Sequence, residues 1–332
     1  MSVHLSLDEK SVLITGGLGF IGSALSRYFS DNFWDVTVLD SRLNYRQIPD
    51  DEFLPMQNFR EQSLLDQVRF HSVDLVDLKQ LQSTLDSCSF STVIHLAGHP
   101  LAGVIGNDRS LGLEQILIPT ENLLGCLVQR NPKRFVYVSS SMVYGHFLSD
   151  KVAESSELFP VNVYGQFKKN CEEKVQEHCQ AHGIEFSIVR PSAVYGIGDS
   201  NNRILYRLIK AAATAKRMQI FSLHERLDFT SVEDLVRGLF LVTTKPEAKN
   251  EVFNLTYGES RTLGEAIEII TKELAKPEFD LAPNPSKNPI RGTLSIQKAR
   301  NLLGYEPQVS LEAGLARYIS DLERVCLSQW RS

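Results

Sequence analysis

Tyr164 and Lys168 stand four residues apart in the stretch YGQFK, so a helix there puts a phenol and an ammonium on one face. Such a pair can move a proton to or from a ligand. The same spacing also occurs on plain surface helices, so the rest of the chain has to decide between the two. A second chemical signal lies near the N-terminus. TGGLGFIG carries Gly16, Gly19 and Gly22 in a GxxGxxG spacing, and Gly17, Gly19 and Gly22 also satisfy GxGxxG. A β-branched run precedes it, the helical pattern FIGSALSRYFSD comes after it, and Asp40 closes the next run 18 residues after Gly22. Glycines permit the tight turn and let backbone N–H groups approach a pyrophosphate at the positive end of a helix. The residues expected at that pyrophosphate are Gly16, Gly19, Phe20, Ile21 and Gly22.

Asp40 can then accept hydrogen bonds from both hydroxyls of a ribose. The 2′-phosphate of NADP meets that carboxylate with like charge, at about 4 Å and an effective dielectric near 20 a cost of roughly 4 kcal/mol per charge pair. NAD is therefore the expected cofactor, with Arg42 two residues on able to soften the repulsion. Asp74 ends a third run as VDL; it and Leu75 are expected at the adenine, against strand-end solvation or helix capping for Asp74. Leu96, Ala97 and Gly98 of HLAG let a cofactor lie against backbone, and His95 beside them reads as a satisfied buried histidine.

These residues have to be carried by strands and helices in a regular rhythm. Short β-branched runs recur with helical patterns between them: SVLITGG, DVTVLD, VRFHSVD, STVIHLAG, RFVYVSS and EFSIVRP, with EVFNLT much later. That alternation predicts an α/β fold, a doubly wound parallel sheet with a smaller substrate-binding lobe. The expected nucleotide-binding domain takes residues 1–190 and 230–257. The lobe takes 191–229 and 258–332, where the strand–helix rhythm is lost and the helical patterns TLGEAIEIITKELAK and SLEAGLARYISDLERV flank a proline-rich stretch.

Composition excludes several classes. Net charge is −5 without runs of like charge, which argues against nucleic-acid and membrane-surface partners. No apolar stretch approaches the roughly 20 residues of a membrane span and no signal region opens the chain, so a cytoplasmic protein is expected. Five scattered cysteines suggest reduced thiols. His178 and His182 are four apart in HCQAH, but the motif lacks the glutamate of a zinc-protease site, and no metal is expected.

In order along the chain, TGGLGFIG, HLAG, SSSMVYG, YGQFK, RPSAVYG, RLDFTSVEDL and ARNLLGYEPQVSLEAGL resemble the extended short-chain dehydrogenase/reductase family, the NAD-dependent epimerase/dehydratases of nucleotide sugars. The resemblance implies a catalytic triad of Ser140, Tyr164 and Lys168, the serine lying four residues before the tyrosine of VYG. Tyr164 is then the general acid/base. A free tyrosine has a pKa of about 10, and bringing it near 7 takes roughly 4 kcal/mol of phenolate stabilisation, which Lys168 and the oxidised nicotinamide supply. Lys168 and Tyr164 also reach the cofactor, Ser140 binds the reacting oxygen of the substrate, and Pro191 of RPSAVYG is a further cofactor contact.

The two residues after Ser140 discriminate among the family's reactions. Its dehydratases and decarboxylases carry acidic residues there; this chain has Ser141 and Met142. Simple oxidation and reduction at one carbon remain, and with NAD they point to epimerisation, at C4, through a transient keto sugar. The alternatives are a keto-sugar reductase, a dehydrogenase of a non-nucleotide substrate, and a non-catalytic NAD-binding regulator, which is expected to lose Tyr164 or Lys168. The substrate side departs from the family. Ala193 replaces the usual asparagine of RPxN, RLDF puts Leu227 at the usual arginine with Arg226 before it, and Ile116 stands where the family has an asparagine, with Pro119 and Thr120 in place of the GT that follows it. Arg226 and Arg291 are the expected diphosphate contacts. Leu113, Ile116, Leu117, Leu123, Leu124 and Leu127 spread around the first of the two helical stretches at residues 111–130 and 161–182. Related enzymes pair these helices about a two-fold axis, so a homodimer is expected.

Overall fold

The computed structural model describes residues 10–43, 48–62, 64–106, 108–282 and 289–327. Seven β-branched runs become strands β1 (Ser11–Thr15), β2 (Asp35–Asp40), β3 (Arg69–Ser72), β4 (Thr92–His95), β5 (Arg134–Val138), β6 (Glu185–Arg190) and β7 (Glu251–Asn254). They form one parallel sheet in the order β7-β6-β5-β4-β1-β2-β3. The chain winds outward from β1 to β3, then returns to β4 on the other side of β1. The strand order therefore reverses between β1 and β4, where doubly wound sheets open a crevice at the carboxyl ends of their strands.

Both sheet faces are covered, which is why the strands read as continuous apolar runs rather than as alternation. Val12, Ile14, Val36, Val38, Ile94 and Val136 pack under α1 (Phe20–Asp31) and the later helix Val232–Thr244. Leu13, Leu39, Val93, Phe135 and Ile188 face the other way, against α3 (Leu78–Asp86), α4 (Ile118–Leu127) and α5 (Val163–His182). Each such buried side chain contributes roughly 1.5–3 kcal/mol.

A third core belongs to the C-terminal half. Tyr195, Tyr206, Leu208, Leu227, Phe229, Ile267, Leu315 and Tyr318 pack together, and Ile48, Phe53 and Met56 join them from α2 (Asp50–Glu61) and the residues just before it. Glu52 of α2 is 4 % exposed and accepts from Tyr206 Oη and Lys210 Nζ. An early helix thus belongs by packing to the late core, a placement that follows from neither its position nor its composition.

The stretch 111–130 is not one regular helix. A short turn Arg109–Gly112 passes into a π-helical turn, Leu113–Leu117, before α4 begins. Pro119 explains the break: it has no N–H, and its ring crowds the carbonyl four residues back, that of Gln115. The freed carbonyl accepts the His99 N–H at 3.1 Å, so the proline also pins the loop after HLAG. No helix among the described residues is long and apolar enough to cross a membrane.

Candidate functional site

The glycine turn after β1 is fixed by close backbone approach. Gly16 has φ of 71°, and a Cβ there would stand 2.9 Å from the Ala97 nitrogen. A Cβ on Gly22 would stand 2.0 Å from the Gly16 carbonyl oxygen. Only glycines let β1, α1 and HLAG meet in this way. Gly19 caps α1 without a side-chain bond, and no acidic residue lies in the first turn, so the positive end of the helix is left for a ligand.

That end opens into a cleft of about 600 Å³. Gly16, Gly19, Phe20, Ile21, Gly22, Asp40, Asp74, Leu75, Leu96, Ala97 and Gly98 all line it. Asp40 accepts the Leu18 N–H at 3.0 Å and the Arg42 N–H at 2.8 Å. Burial pushes its carboxyl above the ordinary value, against the pull of those two bonds. Asp74 accepts the Val76 N–H at 3.0 Å, a turn that presents the carboxylate at the end of β3.

Behind the cleft, His95 is fully buried with both ring nitrogens occupied, Nδ1 by Thr15 Oγ1 at 2.7 Å and Nε2 by Thr120 Oγ1 at 3.0 Å. Thr120 Oγ1 donates its proton to the Ile116 carbonyl at 2.8 Å, so it accepts the imidazole proton from Nε2, and Nδ1 accepts the hydroxyl proton of Thr15, whose oxygen also takes the Ala97 N–H at 3.3 Å. Burial first, then the nearby Lys168 charge, lowers the His95 pKa to about 3. The neutral histidine thus braces the cleft floor at Ala97.

Tyr164 and Lys168 lie on α5, 8 % and 6 % exposed. Lys168 Nζ donates to the Val138 carbonyl at the end of β5 at 3.0 Å and stands 5.9 Å from the Tyr164 ring centre. Asn162 caps the helix by accepting the Gly165 N–H at 2.8 Å. Gly165 lets α5 seat against the turn after Ser140, since a Cβ there would stand 2.5 Å from the Met142 carbonyl oxygen. Ser140 Oγ accepts the Met142 N–H at 3.2 Å, which leaves its own proton for donation. The Pro191 carbonyl accepts the Ser141 N–H at 2.8 Å, joining the end of β6 to the same turn. Further along α5, Glu172 takes both arms of Arg190 at 3.0 and 2.6 Å, a buried pair that locks the helix to β6. Ser140, Tyr164, Lys168 and Pro191 lie outside the lining of the cleft, at the β5 and β6 ends of the sheet.

The two arginines expected at a diphosphate part company. Arg226 is exposed, and its guanidinium is bound to Ser260, Nε to the hydroxyl at 3.0 Å and a terminal nitrogen to the carbonyl at 2.5 Å. Arg291 is partly exposed; burial around its guanidinium lowers its pKa, and Glu225 is the carboxylate that opposes this. Asp228 of RLDF, which the sequence left unassigned, is fully buried. It accepts from Thr256 Oγ1 at 3.0 Å and from the N–H groups of Leu294 and Gly258 at 3.1 and 3.2 Å. Burial raises its pKa to about 7. Sequence reasoning also missed Arg60, Gln115, Ser200, Asn201 and Arg203 in the cleft wall. They come from α2, the π turn and the loop after Gly198, and no motif spacing marks them.

The comparisons with known proteins agree with this geometry. A UDP-glucuronate 4-epimerase of Thermodesulfobacterium geofontis is 28 % identical, with 93 % of this chain and 94 % of that protein covered. A dTDP-glucose 4,6-dehydratase of Haemophilus influenzae is 26 % identical over 93 % of this chain and 96 % of that protein. The crystal structure of the Bacillus cereus UDP-glucuronic acid 4-epimerase, in complex with UDP-glucuronic acid and NAD, superposes with a TM-score of 0.85 at 27 % identity, covering 95 % of this chain and 99 % of that one. With the matching family model spanning residues 12–256 as well, the chain belongs to the NAD dependent epimerase/dehydratase family.

Proposed function

We propose that this enzyme is a nucleotide-sugar 4-epimerase that works on a UDP-linked hexose or hexuronic acid with NAD as its cofactor. The observation that carries this reading is the turn at Ser140–Met142. Tyr164 and Lys168 are seated against it by Gly165, and neither Ser141 nor Met142 offers the acid that elimination of water or loss of carbon dioxide calls for. Support for the UDP-linked substrate is the relative named a UDP-glucuronate 4-epimerase and the solved UDP-glucuronic acid complex, each ahead in identity of the dTDP-glucose dehydratase.

The cleft fits NAD on its own terms. Gly16 and Gly22 hold a cradle that any side chain would fill, the first turn of α1 carries no competing anion, and Asp40 stands where ribose hydroxyls need an acceptor. Bound NAD supplies a reversible store for one hydride. Tyr164 takes the proton from the sugar C4 hydroxyl and returns it. Lys168 holds the phenolate electrostatically, Ser140 donates its hydroxyl proton to the reacting oxygen, and Arg291 meets the diphosphate. Residues 1–190 with 230–257 serve as the cofactor domain and 191–229 with 258–332 as the substrate lobe. A homodimer through α4 and α5 completes the proposal. Ile116, Leu123, Leu124 and Leu127 are consumed inside the chain, while Leu113 and Val128 are 41 % and 40 % exposed.

Incubation of the purified protein with UDP-glucuronate or UDP-glucose, followed by chromatography of the nucleotide sugars, tests the reading. Formation of the C4 epimer from one of them supports it. A product lacking carbon dioxide or water, or net consumption of a reduced nicotinamide by a keto sugar, would replace it.

A further inference from the structure

Arg60 has no task in the proposed chemistry, which leaves the adenosine ribose to Asp40. It is the penultimate residue of α2, is 8 % exposed, and lines the same cleft as Asp40. One terminal nitrogen donates to the Gly198 carbonyl and to Ser200 Oγ, both at 2.9 Å. Its Nε–H is buried and has no partner among the described residues. The carboxylates nearest to it in charge are otherwise engaged. Glu61 pairs with Arg42 at 3.2 Å, Asp199 with Arg203 at 3.8 Å, and both oxygens of Asp40 accept backbone N–H groups. Arg60 is thus a buried cation that rests on neutral acceptors with one donor idle.

An arginine cannot shed its proton to escape burial, and a buried charge without a close counter-charge is costly. Its position is nonetheless fixed. Phe53 and Met56 anchor α2 in the C-terminal core, the Phe53 ring lies 5.6 Å from the guanidinium, and a Cβ on Gly198 would stand 3.2 Å from Arg60 Cγ. A preorganised cation with an unused donor in the wall of a nucleotide cleft is completed by the nucleotide. We propose that Arg60 is a second cofactor-binding residue at the adenosine ribose, and that Asp40 and Arg60 together set the preference between NAD and NADP by acting on the 2′ position with opposite charge. Asp40 repels a 2′-phosphate and Arg60 attracts it, while the idle Nε–H also suits a ribose hydroxyl.

This inference rests on the cofactor reading, and one experiment separates the two. The full-length protein, freed of bound nucleotide, is titrated with NAD and with NADP by calorimetry, alongside Arg60→Gln and Arg60→Lys, with melting curves as a check on folding. The wild type prefers NAD. Arg60→Gln widens that preference by about threefold or more because NADP loses an attraction that NAD lacks, and Arg60→Lys, which keeps the charge, holds the ratio within about twofold. An unchanged ratio in Arg60→Gln, with both affinities lowered equally or neither lowered, overturns the assignment. A wild type that binds neither nucleotide overturns the cofactor reading itself. If Arg60→Gln fails to fold, Arg60→Met takes its place with the same expected ratio.

Discussion

The two ends of the molecule's ligand-binding surface are built differently. At the glycine-turn end, backbone shapes the cleft: Gly16, Gly22 and Ala97 meet at distances no side chain tolerates, and the expected residues from Gly16 to Gly98 share one cleft, with Tyr164, Lys168 and Pro191 outside its lining. At the end proposed for the substrate, side chains make the contacts. Arg226 is turned to Ser260, Arg291 comes from a separate segment, and Asp228 ties three backbone segments together from a fully buried position. A backbone site needs particular residues at particular spacings, whereas a side-chain site can be reassembled from other loops. A substitution in the glycine turn therefore disturbs the backbone itself, whereas one at Arg226 or Arg291 changes a single side-chain contact.

The largest effect expected is on turnover at the junction of the two ends. Tyr164→Phe should lower kcat by about 10²–10⁴ with NAD affinity nearly intact, because the phenol carries the transferable proton. Steady-state rates and NAD titration on the same preparation check this, and more than a tenth of the wild-type rate would remove Tyr164 from the chemistry. Next, Gly22→Ala should weaken NAD binding by about a hundredfold, since the new Cβ meets the Gly16 carbonyl at 2.0 Å and the turn has to open. Retained NAD affinity would show that the cradle is not the binding determinant.

At the substrate end, Arg291→Ala should raise KM by roughly 30-fold, as expected for one charged contact of about 2 kcal/mol, and leave NAD binding alone. Arg226→Ala should change KM by less than about threefold, because its partner is Ser260 rather than a ligand. The reverse ranking would mean that the lobe rearranges on binding.

A separate effect is on stability rather than on turnover or binding. Unfolded His95 binds a proton near its ordinary value of 6.5, whereas the folded protein holds it neutral down to about 3. Between those values the unfolded chain carries the extra proton, so stability falls as pH falls through that window, by up to about 1.4 kcal/mol per pH unit, and is unaffected above it. Urea unfolding at pH 7, 6 and 5 should show the slope in the wild type and a flatter one in His95→Gln.

Much of this was legible in the sequence because period and spacing carry it. The seven apolar runs all entered one sheet, and Gly165, inside YGQFK, lets the helix that carries Tyr164 and Lys168 seat against the turn after Ser140. The helix expected across 111–130 is broken at Leu113–Leu117, and the cause, Pro119, was in plain view. Its apolar surplus was also legible, but Ile116, Leu123, Leu124 and Leu127 are spent inside the chain, and no pattern of hydropathy tells an inner face from an outer one when both are apolar. Arg60 and α2 were not legible at all. Their roles depend on packing against residues about 140 positions away, at Gly198 and Ser200, and sequence spacing carries no record of such contacts.

In the proposed reaction one hydride leaves C4 of a nucleotide sugar and returns to the same carbon on the opposite face. The most direct measurement uses a UDP-sugar deuterated at C4, turned over by the purified enzyme in ordinary water and followed by proton NMR and mass spectrometry. The account predicts a C4 epimer that keeps its deuterium at C4, with no free reduced nicotinamide accumulating. Loss of the label to water, or its appearance in a released reduced cofactor beside a keto sugar, would contradict it.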